Sequence, residues 1–174
     1  MILAGSRIRE ELEAGRLVIS PFHPDQLNNS SYSFRIGEEL SGQLERNSEA
    51  ESDDELFQLP ESGFRLEPGR LYLGTTFEHI GSRHFVPLLG GSPQSARLGL
   101  FLQLSANLGN LGDAHRWTLE LVCVQPVIVY AEMLIGRVAF CVPEGDVSHY
   151  TGEYTKHSRP IGNLRRLLGR GHAG

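Results

Sequence analysis

RWTLELVCVQPVIVYAEMLIGRVAFCVPEG, residues 116 to 145, decides the fold. Trp117, Leu119 and Leu121 alternate with Thr118 and Glu120, which is the period of a half-buried strand. Apolar runs around Val127 and from Leu134 to Val142 follow within a few residues, broken by Pro126 and ended by Pro143. Upstream the rhythm continues. FRLEPGRLYLGTTFEHI (64–80) reads as two strands about a Pro68-Gly69 turn, and ARLGLFLQLSANLG (96–109) adds another strand-like run. Short strands at 8 to 15 residue spacing, with few helices, predict an all-β sandwich or barrel. Twenty Gly and nine Pro supply the turns such a fold needs.

The N-terminal end differs. Residues 6 to 15 read as a short helix, with Ser6 as its cap, Ile8 and Leu12 on one face and Gly15 as its stop. Leu17, Val18 and Ile19 predict a short buried strand, and Tyr32, Phe34 and Ile36 alternate with Ser33 and Arg35 as in a half-buried one. Residues 41–62 hold a dense acidic run (Glu45, Glu49, Glu51, Asp53, Asp54, Glu55), read as a solvated loop or insertion. The 21 residues after Glu153 contain no acid but hold Lys156, Arg159, Arg165, Arg166 and Arg170. The expected organisation is one domain over 1–160 and a basic tail over 161–174, either unordered or closing over an anionic ligand.

With 174 residues and 40% hydrophobic content, the chain can bury one sizeable core. A net charge of -5 and a pI near 5.8 argue against a basic nucleic-acid binder. No apolar stretch reaches the ~20 residues of a membrane span. The first 15 residues have no apolar signal core. Cys123 and Cys141, each in an apolar run, read as buried free thiols of a reducing compartment, so the expectation is cytoplasmic.

Several chemistries lack their residues. A zinc deaminase needs His-x-Glu and Pro-Cys-x-x-Cys; neither occurs, and the two cysteines stand 18 apart. His115 and Glu120 have no ligand spacing around them, so no metal site is expected. There is no GxGxxG, P-loop lysine motif or GxSxG elbow, and Gly90-Gly91 before Ser92 reads as a tight turn. Glu120 stands out. A carboxylate turned inward among apolar neighbours needs a partner, with Arg97 and Arg116 as candidates; turned outward it is an ordinary solvated acid.

MILAGSRIREELEAGRLVISPF, DQLNNSSYSFRIG, GFRLEPGRLYLGTTFEHIG, SARLGLFLQLSANLG and TLELVCVQPVIVYAEMLIGRVAF, taken in order, resemble the dCTP deaminase family of the dUTPase-like superfamily, over about 1–40 and 63–160. The resemblance implies a distorted β-barrel or jelly roll, assembled as a homotrimer with sites between subunits. It implies zinc-free hydrolytic deamination of dCTP to dUTP and ammonia, with Mg²⁺ carried on the triphosphate; some members go on to dUMP. The partner is a pyrimidine nucleotide, with neither DNA nor membrane expected. By position Glu120 is the general base and acid, and Arg97, in the Ala96-Arg97 pair, holds and tunes it. The substrate-binding positions carried over are Ser92, Gln94, Ser95, Ala96, Asn110, Trp117, Thr118, Leu119, Tyr154 and His157.

The sequence departs from that family where phosphate is held. Gly-Arg-Ser-Ser-Leu-Ala-Arg reads Gly91-Ser92-Pro93-Gln94-Ser95-Ala96-Arg97 here, so the arginine and both serines of its first half are gone. The family's deoxyribose-meeting Asp is Asn110, followed by Leu111 for Pro; the Asp of Ser-Tyr-Asp-Leu-Arg is Ser33. The closing Lys-Tyr is Glu153-Tyr154, the later Gln falls near His157, and a Pro-Gly becomes Ala131-Glu132. Three lost hydrogen bonds to charged groups amount to about 5 kcal/mol, over a thousandfold in affinity. Three readings stand: a dCTP deaminase with a reorganised phosphate site, an enzyme for another cytosine nucleotide, and a non-catalytic trimeric nucleotide-binding or regulatory homologue.

Overall fold

The alternation in residues 118–123 is carried out in three dimensions: Leu119, Leu121 and Cys123 are buried, while Thr118, Glu120 and Val122 lie half-buried on the opposite face. The computed structural model of the chain describes residues 1–42, 55–103 and 107–150. In chain order the elements are α1 (Gly5–Glu13), β1 (Val18–Ser20), β2 (Tyr32–Arg35), β3 (Glu39–Gly42), β4 (Glu55–Gln58), β5 (Phe64–Leu66), β6 (Tyr72–Thr75) and β7 (His79–Ser82), then β8 (Val86–Gly91), α2 (Pro93–Arg97), β9 (Leu100–Leu102), β10 (Gly112–His115), β11 (Thr118–Cys123), β12 (Val127–Val129) and β13 (Leu134–Cys141). The fold is all-β with a short N-terminal helix.

The strands form four antiparallel sheets: β4-β3-β6-β11-β9, β2-β13-β8, β1-β7-β10 and β12-β5. Their apolar faces meet in one core built on Phe34, Phe140, Ile36, Leu40, Leu119 and Leu121, all fully buried. β13 is the hinge of the packing. It pairs with β2 on one side and with β8 over six residues on the other. The Pro68-Gly69 turn forms, with Gly69 at φ +78°, but it joins strands of different sheets: β5 pairs with β12, and β6 with β3 and β11.

Four sequence expectations are corrected. The helix is not capped by Ser6; it starts at Gly5 with Ala4 as N-cap and no side-chain cap. Tertiary contact replaces the cap, because Gly5 N–H donates to the Asn29 carbonyl at 2.7 Å and a side chain at Gly5 would meet the Asn28 carbonyl at 2.3 Å. The acidic stretch is not loop throughout, since β4 pairs residue for residue with β3, and Phe57 and Leu59 pack on the core. Apolar residues at its end hold that strand, and average composition hides them. Residues 43–54, with most of the acids, lie outside the described residues. Gly90 and Gly91 end β8 rather than turning, opposite Arg137 and Gly136. Finally, Cys141 is half-buried rather than buried; both cysteines are free, and burial pushes the Cys123 thiol up.

Among the described residues no helix is long and apolar enough to cross a membrane. The basic tail, 161–174, lies outside the described residues.

Candidate active site

β11 presents the central carboxylate. Its core face is fixed by Leu119 and Leu121, so Glu120 must face the other way, with Thr118 two residues and about 7 Å along the same face. The end of β9 pins the backbone there. Glu120 N–H donates to Gln103 Oε1 at 2.8 Å, and Gln103 N–H donates to the Glu120 carbonyl at 3.2 Å. Among the described residues the Glu120 carboxylate has no ion-pair partner. Neither Arg97 nor Arg116 meets it. Arg97 lies exposed in the last turn of α2.

α2 is held by two buried serines. Ser92 is its N-cap, accepting the Ser95 N–H at 3.0 Å. The two hydroxyls lie 2.8 Å apart, and Ser95 Oγ reaches the Ile135 carbonyl at 2.7 Å. A carbonyl only accepts, so Ser95 spends its one proton there, and Ser92 must donate the proton between the two hydroxyls. Neither hydroxyl has a proton left for a ligand. Pro93, at the first helical position, has no N–H to offer. Gln94 and Ala96 are exposed on the same short helix.

The cavity of this region, about 180 Å³, lies where β10 runs into β11. Asn110, Trp117 and Thr118 line it, so three of the sequence-predicted positions come together. Leu119 does not join them with its side chain, which is fully buried in the core. Trp117 is rigidly seated: its indole N–H donates to the Ile80 carbonyl at 2.9 Å, and its backbone N–H donates to Thr76 Oγ1 at 2.9 Å. The His115 ring lies over it at 4.2 Å between centroids. Burial, aided by His79, pushes His115 below the ordinary imidazole value, against the opposing effect of the Asp113 carbonyl. Arg116 also lines the cavity, with its guanidinium 5.5 Å from the Phe77 ring centroid; the Arg35 guanidinium lies 4.2 Å from the same ring.

Leu111, Gly112, His115, Arg116 and Tyr150 complete the lining. The sequence reading did not place His115 or Tyr150 in a ligand site. The usable signal for His115 was its position just ahead of the alternating run; Tyr150 had none, because tertiary contact alone brings it in. Tyr150 N–H donates to the Leu111 carbonyl at 2.8 Å, and His149 Nε2 donates to the Arg83 carbonyl at 3.1 Å. These bonds bring the chain to the cavity immediately before residue 151. Tyr154 and His157 follow and lie outside the described residues. Among the described residues no three His, Cys, Asp or Glu side chains gather as metal ligands.

A family model described as dCTP deaminase-like matches residues 2–141. The chain belongs to the dCTP deaminase-like family. It is 38% identical over 162 residues to a protein of Hathewaya histolytica named dCTP deaminase, dUMP-forming, covering 91% of this chain and 93% of that one. It is also 38% identical to a dCTP deaminase of Rhodopirellula baltica, over 92% of this chain and 82% of the relative. Among solved structures, a 2'-deoxycytidine 5'-triphosphate deaminase from Agrobacterium tumefaciens superposes with a TM-score of 0.64 at 18% identity. That likeness covers 82% of this chain, which spans about half of the solved one, at 48%, and it establishes the shared fold.

Proposed function

We propose that this dCTP deaminase-like chain hydrolytically deaminates a cytosine nucleotide, dCTP in the first instance, with Glu120 as general base and acid. The carrying observation is a half-buried carboxylate, without an ion-pair partner among the described residues, on the strand face whose Thr118 lines the cavity. Such a carboxylate is free to take a proton from water. The water oxygen bonds to cytosine C4, and the C4=N3 bond opens as N3 gains the proton. Glu120 then carries the remaining proton of the C4 hydroxyl to the exocyclic nitrogen, the C4–N bond breaks to release ammonia, and the C4 carbonyl forms. The immediate product is dUTP. The dUMP-forming names of several relatives make diphosphate release a second step to assay.

The homotrimer, with sites between subunits, and Arg97 acting on Glu120 of another copy belong to this proposal. Mg²⁺ fits best as a passenger on the triphosphate, since phosphate oxygens and water suit that ion. The proton bookkeeping at Ser92 and Ser95, with Pro93 between them, favours a second reading: a cytosine nucleotide with fewer phosphates. The non-catalytic homologue remains the third.

Ammonia release and product mass from dCTP, CTP, dCMP and CMP, with and without Mg²⁺, separate these readings. Turnover of dCTP that is lost by a factor of about 10² or more in Glu120→Gln supports the first. The same loss with dCMP or CMP as the preferred substrate supports the second. Full activity in Glu120→Gln removes Glu120 from the chemistry, and no product from any substrate leaves the non-catalytic reading.

A further inference from the structure

His115 Nδ1 lies 3.0 Å from the backbone carbonyl of Asp113. That oxygen only accepts, so Nδ1 carries the proton. A neutral imidazole has one N–H, which leaves Nε2 of His115 as a bare acceptor in a residue that lines the cavity. Burial favours this neutral form. The ring is held in place by the Trp117 platform beneath it.

A spare acceptor on the cavity wall suits a group that gives a hydrogen bond. A hydroxyl does so; a phosphate oxygen only accepts. The cavity's 180 Å³ is below the roughly 300 Å³ at which pockets begin to enclose whole drug-sized ligands. It holds a ring-sized fragment, such as a sugar.

We infer that His115 is a specificity-determining residue whose Nε2 accepts a hydrogen bond from a sugar hydroxyl of the bound nucleotide. This rests on the nucleotide reading above. The other uncharged donor of a cytosine nucleotide is its exocyclic amine, which must be within reach of Glu120, and Glu120 is not part of the cavity lining. The hydroxyl is left for His115.

The test compares binding of dCTP and 2',3'-dideoxy-CTP, which lacks the sugar hydroxyl, by calorimetry in the Glu120→Gln protein to stop turnover. His115→Phe keeps a ring over Trp117 and removes the acceptor; His115→Gln restores an acceptor oxygen. The expected preference for dCTP is about tenfold, falling below about threefold in His115→Phe and recovering in part in His115→Gln. Nitrogen-15 shifts of the parent's His115 at pH 7 should show the proton on Nδ1. A proton on Nε2, or an unchanged preference in His115→Phe with both nucleotides bound, overturns the inference and leaves the nucleotide reading standing. Binding of neither nucleotide overturns both.

Discussion

Ser92→Arg puts the family's guanidinium back at the place where this chain has a buried cap. Ser92 is 5% exposed, and its hydroxyl serves both the Ser95 N–H at 3.0 Å and Ser95 Oγ at 2.8 Å. Losing a serine N-cap costs about 1 kcal/mol. The Ser95 N–H, left buried without its acceptor, brings the total toward about 2 kcal/mol. α2 has only five residues, so no second turn of helix compensates. The guanidinium itself adds little, because Gly91 and Pro93 on either side are exposed and the long stem can carry the charge to water. With a urea slope of about 2 kcal/mol per molar, the midpoint falls by about 1 M. The assay is urea unfolding followed by fluorescence of Trp117, the single tryptophan of the chain. Ser92→Ala should fall by a similar amount, and Ser92→Asp by no less, because it restores the acceptor for the Ser95 N–H but loses the proton given to Ser95 Oγ and buries a charge. A Ser92→Arg protein as stable as its parent and binding dCTP ten times more tightly would refute this reasoning. Position 92 would then face a ligand rather than hold a helix.

Two further substitutions probe the frame around the site. Gly136→Ala places a methyl 2.1 Å from Phe34 Cζ and 2.7 Å from the Gly90 carbonyl, so β13 must shift and stability should fall by about 3 kcal/mol or more, read from the same urea midpoint; an unchanged midpoint would show that β8 and β13 are less closely packed. Glu11 is fully buried between Arg7 and Arg16, and the hydrogen bond from Arg16 holds its carboxyl below the ordinary 4.5 despite burial. Its folded value lies below its unfolded one, so its contribution is complete above about pH 4.5 and is lost as pH falls through the lower folded value. Acid titration of the urea midpoint should therefore be shallower in Glu11→Gln than in the parent, and parallel curves would remove Glu11 from the acid sensitivity.

The strands around the core were legible because their signal is local. Tyr32, Phe34 and Ile36 on β2 and Leu119 and Leu121 on β11 announce their faces by alternation, and one buried face is enough to fix the register. Glu120 and the departures at 92–94 could be read in the same way, residue by residue. What failed were readings that assumed local causes for tertiary effects. Ser6 has the chemistry of a cap, but the Asn29 carbonyl occupies the helix start. Gly90-Gly91 has the composition of a turn, yet both residues pair with β13. β4 was hidden because the surrounding acids mask its apolar residues, and its pairing with β3 is a contact that only the structure shows.

The sequence by itself determined an all-β frame, the alternation that sets Glu120 against Leu119 and Leu121, and the family to which the matched blocks point. Those are consequences of period and residue type, which a linear string records. Only the tertiary structure decided that Ser92 and Ser95 spend their protons on one another and on Ile135, that Glu120 and Arg97 do not pair within the chain, and that His115, Arg116 and Tyr150 share a cavity. These depend on which atoms are brought within hydrogen-bond reach by strands distant in sequence, and a donor's partner is settled by geometry, not by its neighbours along the chain.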